Sequence, residues 1–196
     1  TLEILGKARE LTSLTQSEVA VVLIGPPDGQ LTAELASYGA DRVLVLDNTG
    51  LGPVCGRRVS EALSAAIEAA RPYAVLFAST ADGRDLASRI AARLKLGLTG
   101  DAIDLEIDGD GRLVQLKPAL GGNVVAPILS KTLPNLVTMR PGVLTAIDPD
   151  SAANAGVDTI DAADFQGNDI EVLEEHFQED IGAIALSQAQ VVLGVG

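Results

Sequence analysis

Tryptophan is absent from this sequence, and cysteine, histidine and methionine each occur once in 196 residues. A single cysteine, Cys55, excludes an internal disulfide and fits a reducing compartment. The single histidine, His176, sits in "EEHFQE"; one imidazole beside acids gives no metal-ligand spacing, and a solvated charged face is the ordinary reading. Aromatic residues make up 3% of the chain, so a core has to be built from Leu, Val, Ile and Ala. Basic residues are also short, 14 against 27 acidic, for a formal net charge of −13. That field repels nucleic acid and anionic lipid, so neither is an expected partner. No apolar run is long enough to span a bilayer. The opening "TLEILGKAREL" has no signal-peptide core and no Arg/Ser-rich transit character, and reads as the inside of a helix.

What is present is a repeating alternation. Leu2, Ile4, Leu5 and Leu11 have helical spacing. "EVAVVLIG" (18–25) is a short continuous apolar run, expected to be a strand buried on both faces. "QLTAELASYGA" is helical again, "DRVLVLD" (41–47) a strand, and "RRVSEALSAAIEAARP" a helix striped by Val59, Leu63 and Ile67 and stopped at Pro72. "YAVLFAS" (73–79) and "TADGRDLASRIAARLKL" repeat the unit. Strand and helix alternating at short spacing predict a parallel sheet with crossover helices. Because the chain opens on a helix, the strand expected ahead of it is absent.

After Gly97 the pattern changes. "AIDLEID-GDG-RLVQLKPAL" alternates on both sides of a Gly-rich turn, a hairpin signature. "GGNVVAPILS" and "NLVTMRPGVL" add two strand-like runs. From Asp148 the composition turns polar and acidic, a surface excursion and linker. "IEVLEEHFQED" can form an edge strand, "IGAIALSQAQ" a short helix, and "QVVLGVG" a last strand feeding a Gly-x-Gly turn. The tail from Ile170 is expected to pack on its own domain or on a second copy.

Motifs of catalysis are missing: no G-x-S-x-G, P-loop, H-E-x-x-H or C-x-x-C. "IDGDGR" lacks the later ligands of a calcium loop and reads as a turn. Cys55, with Arg57 and Arg58 near it, is either activated or an inert small residue. Ser79, Thr80 and Asp82 fall between a strand end and a helix start, where ligands of doubly wound sheets sit. Ser79 or Thr80 can hold an anion there, or cap the helix. Arg84, Arg89 and Arg93 form a basic strip in an acidic chain. Gly121 and Gly122 permit positive φ, and Asn123 can bridge the turn with its amide.

These residues, in order, carry a resemblance. Thr80-x-x-Gly83-Arg84-Asp85-Leu86 and Arg89-x-Ala91-Ala92-x-Leu94 are followed by Gly100-Asp101. Pro118-Ala119-x-Gly121-Gly122-Asn123 and Thr138-x-Arg140-Pro141-Gly142 complete the series. Together they resemble the N-terminal domain of the electron transfer flavoprotein alpha subunit. The resemblance implies a three-layer α/β/α fold with a mostly parallel, Rossmann-like (adenine-nucleotide-hydrolase-like) sheet and an added hairpin. It implies an α/β domain over 1–148, an excursion and linker over 149–189, and the start of a following FAD-binding domain over 190–196. FAD would belong to that following domain of the parent, with no flavin ligand and no metal in this stretch. The implied role is scaffold in a heterodimeric electron carrier that is not itself an enzyme. Its partners would be a beta subunit, packed against Arg84, Gly121, Gly122, Asn123 and Arg140, and flavin dehydrogenases reached through the full complex. Its place would be the cytoplasm, or the mitochondrial matrix in a eukaryote. The alternatives are a nucleotide (AMP/ATP) module built on Ser79, Thr80 and Asp82, and a pure protein-interaction domain.

Overall fold

A computed structural model describes residues 1–49, 51, 56–165, 173, 174, 176, 178 and 181–194 of the chain. Four helices and three strands alternate first: α1 (Leu2–Thr15), β1 (Ala20–Ile24), α2 (Gly29–Ser37), β2 (Arg42–Leu46), α3 (Arg57–Ala70), β3 (Ala74–Ala78) and α4 (Ala81–Leu94). Then come β4 (Leu98–Ala102), β5 (Asp104–Ile107), β6 (Leu113–Ala119), β7 (Val124–Leu129), β8 (Asn135–Met139), β9 (Gly156–Thr159) and α5 (Ile181–Gln188). The parallel strands and crossover helices expected from the alternation are present, in the α/β/α layering that the resemblance implies. The helices end where the sequence lets them: α1, α3 and α4 close on left-handed residues Gln16, Arg71 and Lys95. Asp28 starts α2 by accepting from the Gln30 and Leu31 amides at 2.9 and 3.0 Å.

The strands form three ladders. β1, β2 and β9 run parallel in the order β1-β2-β9; β3, β8 and β4 run parallel in the order β3-β8-β4; β5, β6 and β7 are antiparallel. β8, distant in sequence from both neighbours, is the strand buried at all five positions. A buried amide pair ties the hairpin to it: Gln115 Nε2 donates to Asn135 Oδ1 at 3.3 Å, and Asn135 Nδ2 donates to the Tyr73 carbonyl at 3.1 Å.

The core lies in three clusters on the two faces of the parallel strands. Leu46, Val59, Leu63, Leu86, Ile90 and Leu136 fill the layer under α3 and α4. Leu5, Val19, Leu35, Val43 and Val45 fill the layer under α1 and α2. Ala102, Leu105, Leu113, Val137 and Met139 pack between hairpin and sheet. Few rings were needed, because branched aliphatics fill these layers at close packing.

Three expectations change. The run 18–25 is not buried on both faces: Val22, in mid-strand, is 40% exposed, and β1 is the terminal strand of its ladder among the described residues. Within the polar excursion, Gly156–Thr159 lies as β9 beside β2, with Arg42 and Asp158 paired across the two strands at 2.5 Å. The described part of the tail does not pack on its own domain: Leu173, Ile181, Leu186, Val191 and Leu193 are 59–87% exposed. Residues 191–194 form no strand, whereas the helix read in "IGAIALSQAQ" is α5. Cys55 and most of "IEVLEEHFQED" lie outside the described residues.

Candidate functional site

Ligands of parallel sheets gather at the carboxyl ends of the strands, and three strand ends meet here. β3 ends at Ala78 and delivers Ser79 and Thr80; β8 ends at Met139 and delivers Arg140; β4 carries Asp101 in its last turn of chain. The β3 and β8 ends are locked by Ser79 N donating to Met139 O at 2.7 Å, and the β8 and β4 ends by Arg140 N donating to Ala102 O at 2.8 Å.

Asp101 reaches this edge by an irregularity. The β4–β8 register shifts between Thr99 and Ala102, and Asp101 takes φ 60, left-handed backbone that a non-glycine residue adopts only when its surroundings hold it. Thr138 Oγ1 does the holding, accepting the Asp101 amide at 2.8 Å. The bulge turns the Asp101 carboxylate toward Arg140, whose Nε and Nη2 donate to the same oxygen at 3.1 and 2.5 Å. That guanidinium holds the Asp101 carboxyl below the usual carboxylate range, and Asp101 in turn raises Arg140. Lys117 of β6 closes over the same corner, its Nζ donating to Gly100 O at 2.7 Å.

Ser79 and Thr80 separate in role. Thr80 is the N-cap of α4: its Oγ1 accepts from Gly83 N at 3.1 Å. Gly83 is needed there, because a Cβ at that position would collide with the Ala78 carbonyl oxygen. Ser79 is 8% exposed, and its Oγ lies near the Asp101 carboxylate, whose acidity it raises, without a hydrogen bond of good geometry. Asp82 is exposed in the first turn of α4, and the Asp101 carboxylate lies beside Ser79.

The basic strip on α4 is largely neutralised. Arg89 pairs with Asp85 at 2.7 Å, and Arg93 pairs with Glu61 of α3, a carboxylate that Arg57 and Arg58 also approach. Burial alone would raise Glu61, but the guanidiniums outweigh it and hold it low. Exposed Arg84 has no ion-pair partner among the described residues.

Gly121, Gly122 and Asn123 occupy the β6–β7 turn. Both glycines have positive φ, 70 and 90, and Asn123 Nδ2 bridges the turn to Leu120 O at 3.1 Å. Around it the surface is apolar: Leu120 is 78% exposed, and Val124 and Val125 are 47% exposed. β6 runs from the amino ends of the parallel strands, where Tyr73 Oη donates to Gly111 O at 3.0 Å, toward their carboxyl ends, where Lys117 meets Gly100. The turn therefore projects at the same end of the sheet as Asp101 and Arg140. Asp101, Thr138 and Lys117 went unread as site residues; the signal was Gly-Asp breaking the apolar run of a strand.

Other candidates fall away from this edge. "IDGDGR" is the β5–β6 turn, with Asp108 accepting from the Asp110 and Arg112 amides. His176 is exposed and meets Glu174 at 3.0 Å. No cluster of potential metal ligands occurs among the described residues. An open groove of about 670 Å³ runs along α1, crossed by the ion pairs of Lys7 with Glu10 and Asp104. Among the described residues this edge presents the Asp101–Arg140 ion pair, exposed Arg84 and an apolar turn.

Comparison with known proteins adds a second line of observation. The profile of the family described as "Electron transfer flavoprotein domain" matches residues 1–165. The "Electron transfer flavoprotein subunit alpha" of Thermoanaerobacterium thermosaccharolyticum is 36% identical over 197 residues, covering 100% of this chain and 59% of that protein. The "Lactate dehydrogenase (NAD(+),ferredoxin) subunit LctC" of Acetobacterium woodii is 35% identical over 198 residues, covering 100% of this chain and 47% of its own length. "Protein FixB" of Rhizobium meliloti is 36% identical over 148 residues, 73% of this chain and 42% of that protein. The chain thus spans about half the length of the curated relatives it matches.

Proposed function

The chain belongs to the electron transfer flavoprotein family, and from that premise we propose that it serves as the N-terminal α/β domain of an alpha subunit. The observation that carries this reading is the alignment of the whole chain with alpha subunits of greater length. In this role the domain is a rigid platform. The electron carrier is the parent, a heterodimer that takes electrons from flavin dehydrogenases and hands them to a downstream acceptor. The platform catalyses nothing itself and works in the cytoplasm. The division of labour follows the reading of 1–148 as the platform and 190–196 as the start of the next domain, with β9 drawing the platform's edge out to Phe165.

The partner we assign is a beta subunit, docked on the face formed by Arg140, Arg84 and the turn Gly121–Gly122–Asn123. Leu120, Val124 and Val125 supply apolar area at its centre, and the Asp101–Arg140 pair and Arg84 supply a polar rim. FAD is proposed for the parent. In this chain the groove along α1 is crossed by the ion pairs of Lys7 with Glu10 and Asp104, which speaks against an isoalloxazine ring there. Gly194 lies in an exposed run with open space around it. The test is to mix the purified chain with FAD and then with the beta subunit of the same organism. A complex that forms without any flavin band on this chain alone supports the reading; stoichiometric flavin on the isolated chain refutes it.

A second reading, an AMP or ATP module, rests on the buried Oγ of Ser79 beside the start of α4. Asp82 and Asp101 oppose it, since both carboxylates repel phosphate at that point and Arg140 is already engaged. Calorimetry with AMP decides: micromolar binding lost in Ser79→Ala would favour the module.

A further inference from the structure

Gly100 and Asp101 fall within the register shift between Thr99 and Ala102, so the peptide bond that joins them has left the β4–β8 ladder. Both of its polar atoms are nonetheless occupied, each by a side chain from another element. Its carbonyl, Gly100 O, accepts from Lys117 Nζ of β6 at 2.7 Å. Its N–H, on Asp101, donates to Thr138 Oγ1 of β8 at 2.8 Å. The carbonyl and N–H of a trans peptide point to opposite sides, so one peptide plane is clamped between the hairpin and the parallel strands. Lys117 is half-buried, and its ammonium reaches a backbone carbonyl rather than a carboxylate. A lysine gives up much rotational freedom to do this, and the charge-assisted bond offsets that loss.

Lys117 also stands at a particular place in the hairpin. The hairpin is tied to the rest of the domain at Gly111 by the Tyr73 hydroxyl and at Gln115 by Asn135. Next come Leu116, whose carbonyl accepts from Ile103 N at 2.8 Å, and then Lys117 itself. Beyond it, Pro118 and Ala119 pair with Val125 and Val124 of β7. Among the described residues, no hydrogen bond joins 118–125 to the parallel strands. The β6–β7 turn is thus a cantilever, and Lys117 is its outermost hydrogen-bonded anchor. Pro118 fixes φ directly after that anchor, so a change of direction at Lys117 is carried on toward Leu120. On the other side of the clamp, Asp101 holds Arg140.

We propose that Lys117 is a positioning residue of the docking face, locking the β6–β7 turn and the Asp101–Arg140 pair into one fixed relative placement before a partner arrives. The proposal rests on the reading of that face as the beta-subunit interface. Lys117 acts through Gly100 and through its own strand, not by touching the partner. Its contribution is pre-organisation: a partner that meets both the apolar turn and the ion pair does not have to order one against the other, a cost that otherwise lowers affinity. The donor on Lys117 is what matters, so another charged donor of similar reach serves and an apolar side chain of similar length does not.

The experiment compares Lys117→Met, which keeps the stem and removes the donor, with Lys117→Arg, which keeps a charged donor. The first measurement needs no partner: amide relaxation dispersion on the chain. The proposal predicts exchange broadening with one shared rate at Gly100, Asp101, Gly121 and Gly122 in Lys117→Met, and none in Lys117→Arg. Unchanged spectra in Lys117→Met, broadening confined to one of the two segments, or equal broadening in both variants overturns it. The second measurement is calorimetry with the beta subunit of the same organism. Lys117→Met is expected to weaken the complex at least about fivefold and Lys117→Arg less than about twofold. Leu120→Asp, run beside them, reports on the interface reading itself. If Leu120→Asp weakens the complex and Lys117→Met leaves it equally tight, the proposal is overturned and the interface reading stands. If no complex forms, or Leu120→Asp leaves it intact, the interface reading fails, and the dispersion result alone decides whether Lys117 holds turn and ion pair together. If Lys117→Met loses its cooperative unfolding transition, Lys117→Gln, shorter and uncharged but polar, carries the same comparisons.

Discussion

Arg140 closes on Asp101 across the carboxyl ends of β8 and β4, with Nη2 2.5 Å from Oδ2, although 39 residues separate them in sequence. Neither residue is oriented by its own strand alone. Asp101 faces Arg140 because Thr138 holds its amide in a bulge with left-handed backbone. The pair is the ion pair of the proposed docking face, and its consequences are measurable.

The first concerns pH. The Arg140 guanidinium depresses Asp101, so the pair stabilises the fold above the unfolded carboxyl's ordinary range and loses that contribution as pH falls through the folded value. Arg140→Gln is expected to move the Asp101 titration upward in carbon-detected NMR. Both side chains are more than 40% exposed, so water screens the pair and the stability cost is small.

The second separates Thr80 from Ser79. Thr80→Ala removes the α4 cap and should cost about 1 kcal/mol in urea denaturation, with Thr80→Ser recovering most of it. Ser79→Ala deletes a hydroxyl without a well-formed hydrogen bond and should be close to neutral. The reverse order of costs would contradict the assignment of Thr80 as the cap.

The third is steric. Gly83→Ala places a methyl against the Ala78 carbonyl oxygen, a backbone atom that cannot rotate away. A loss of roughly 1–3 kcal/mol is expected from the forced shift of α4 against β3. A thermal midpoint equal to that of the unsubstituted chain would show that the helix start relaxes freely.

Much of the layered fold was legible in the chain itself. Apolar runs at 18–25, 41–47 and 73–79 and the striped helix after each give β1 to β3 and α2 to α4, because buried parallel strands must be apolar and their crossovers amphipathic. The hairpin was legible because Asp108 and its glycines mark the turn. β9 was not: its four residues are exposed and Gly156 and Asp158 disfavour strands, so its pairing with β2 supplies a signal its composition lacks. The insertion of β8 between β3 and β4 is likewise a long-range choice that local periodicity does not encode. At the candidate site, Thr80 and Asn123 were readable as cap and turn residues, since both act on neighbours in sequence. Asp101 needed Thr138 and Arg140 before its direction had meaning.

The fourth prediction bears on the central claim, that the carboxyl-end edge and the β6–β7 turn dock a beta subunit. Exposed Leu120 is the apolar residue at the middle of that face, whereas exposed Ile181 lies far along the chain in α5. The decisive measurement is the affinity of the chain for the beta subunit of the same organism by calorimetry, alongside Leu120→Asp and Ile181→Asp. The account predicts a one-to-one complex weakened at least about tenfold by Leu120→Asp and little changed by Ile181→Asp. No complex, or one that Leu120→Asp leaves equally tight, would contradict it.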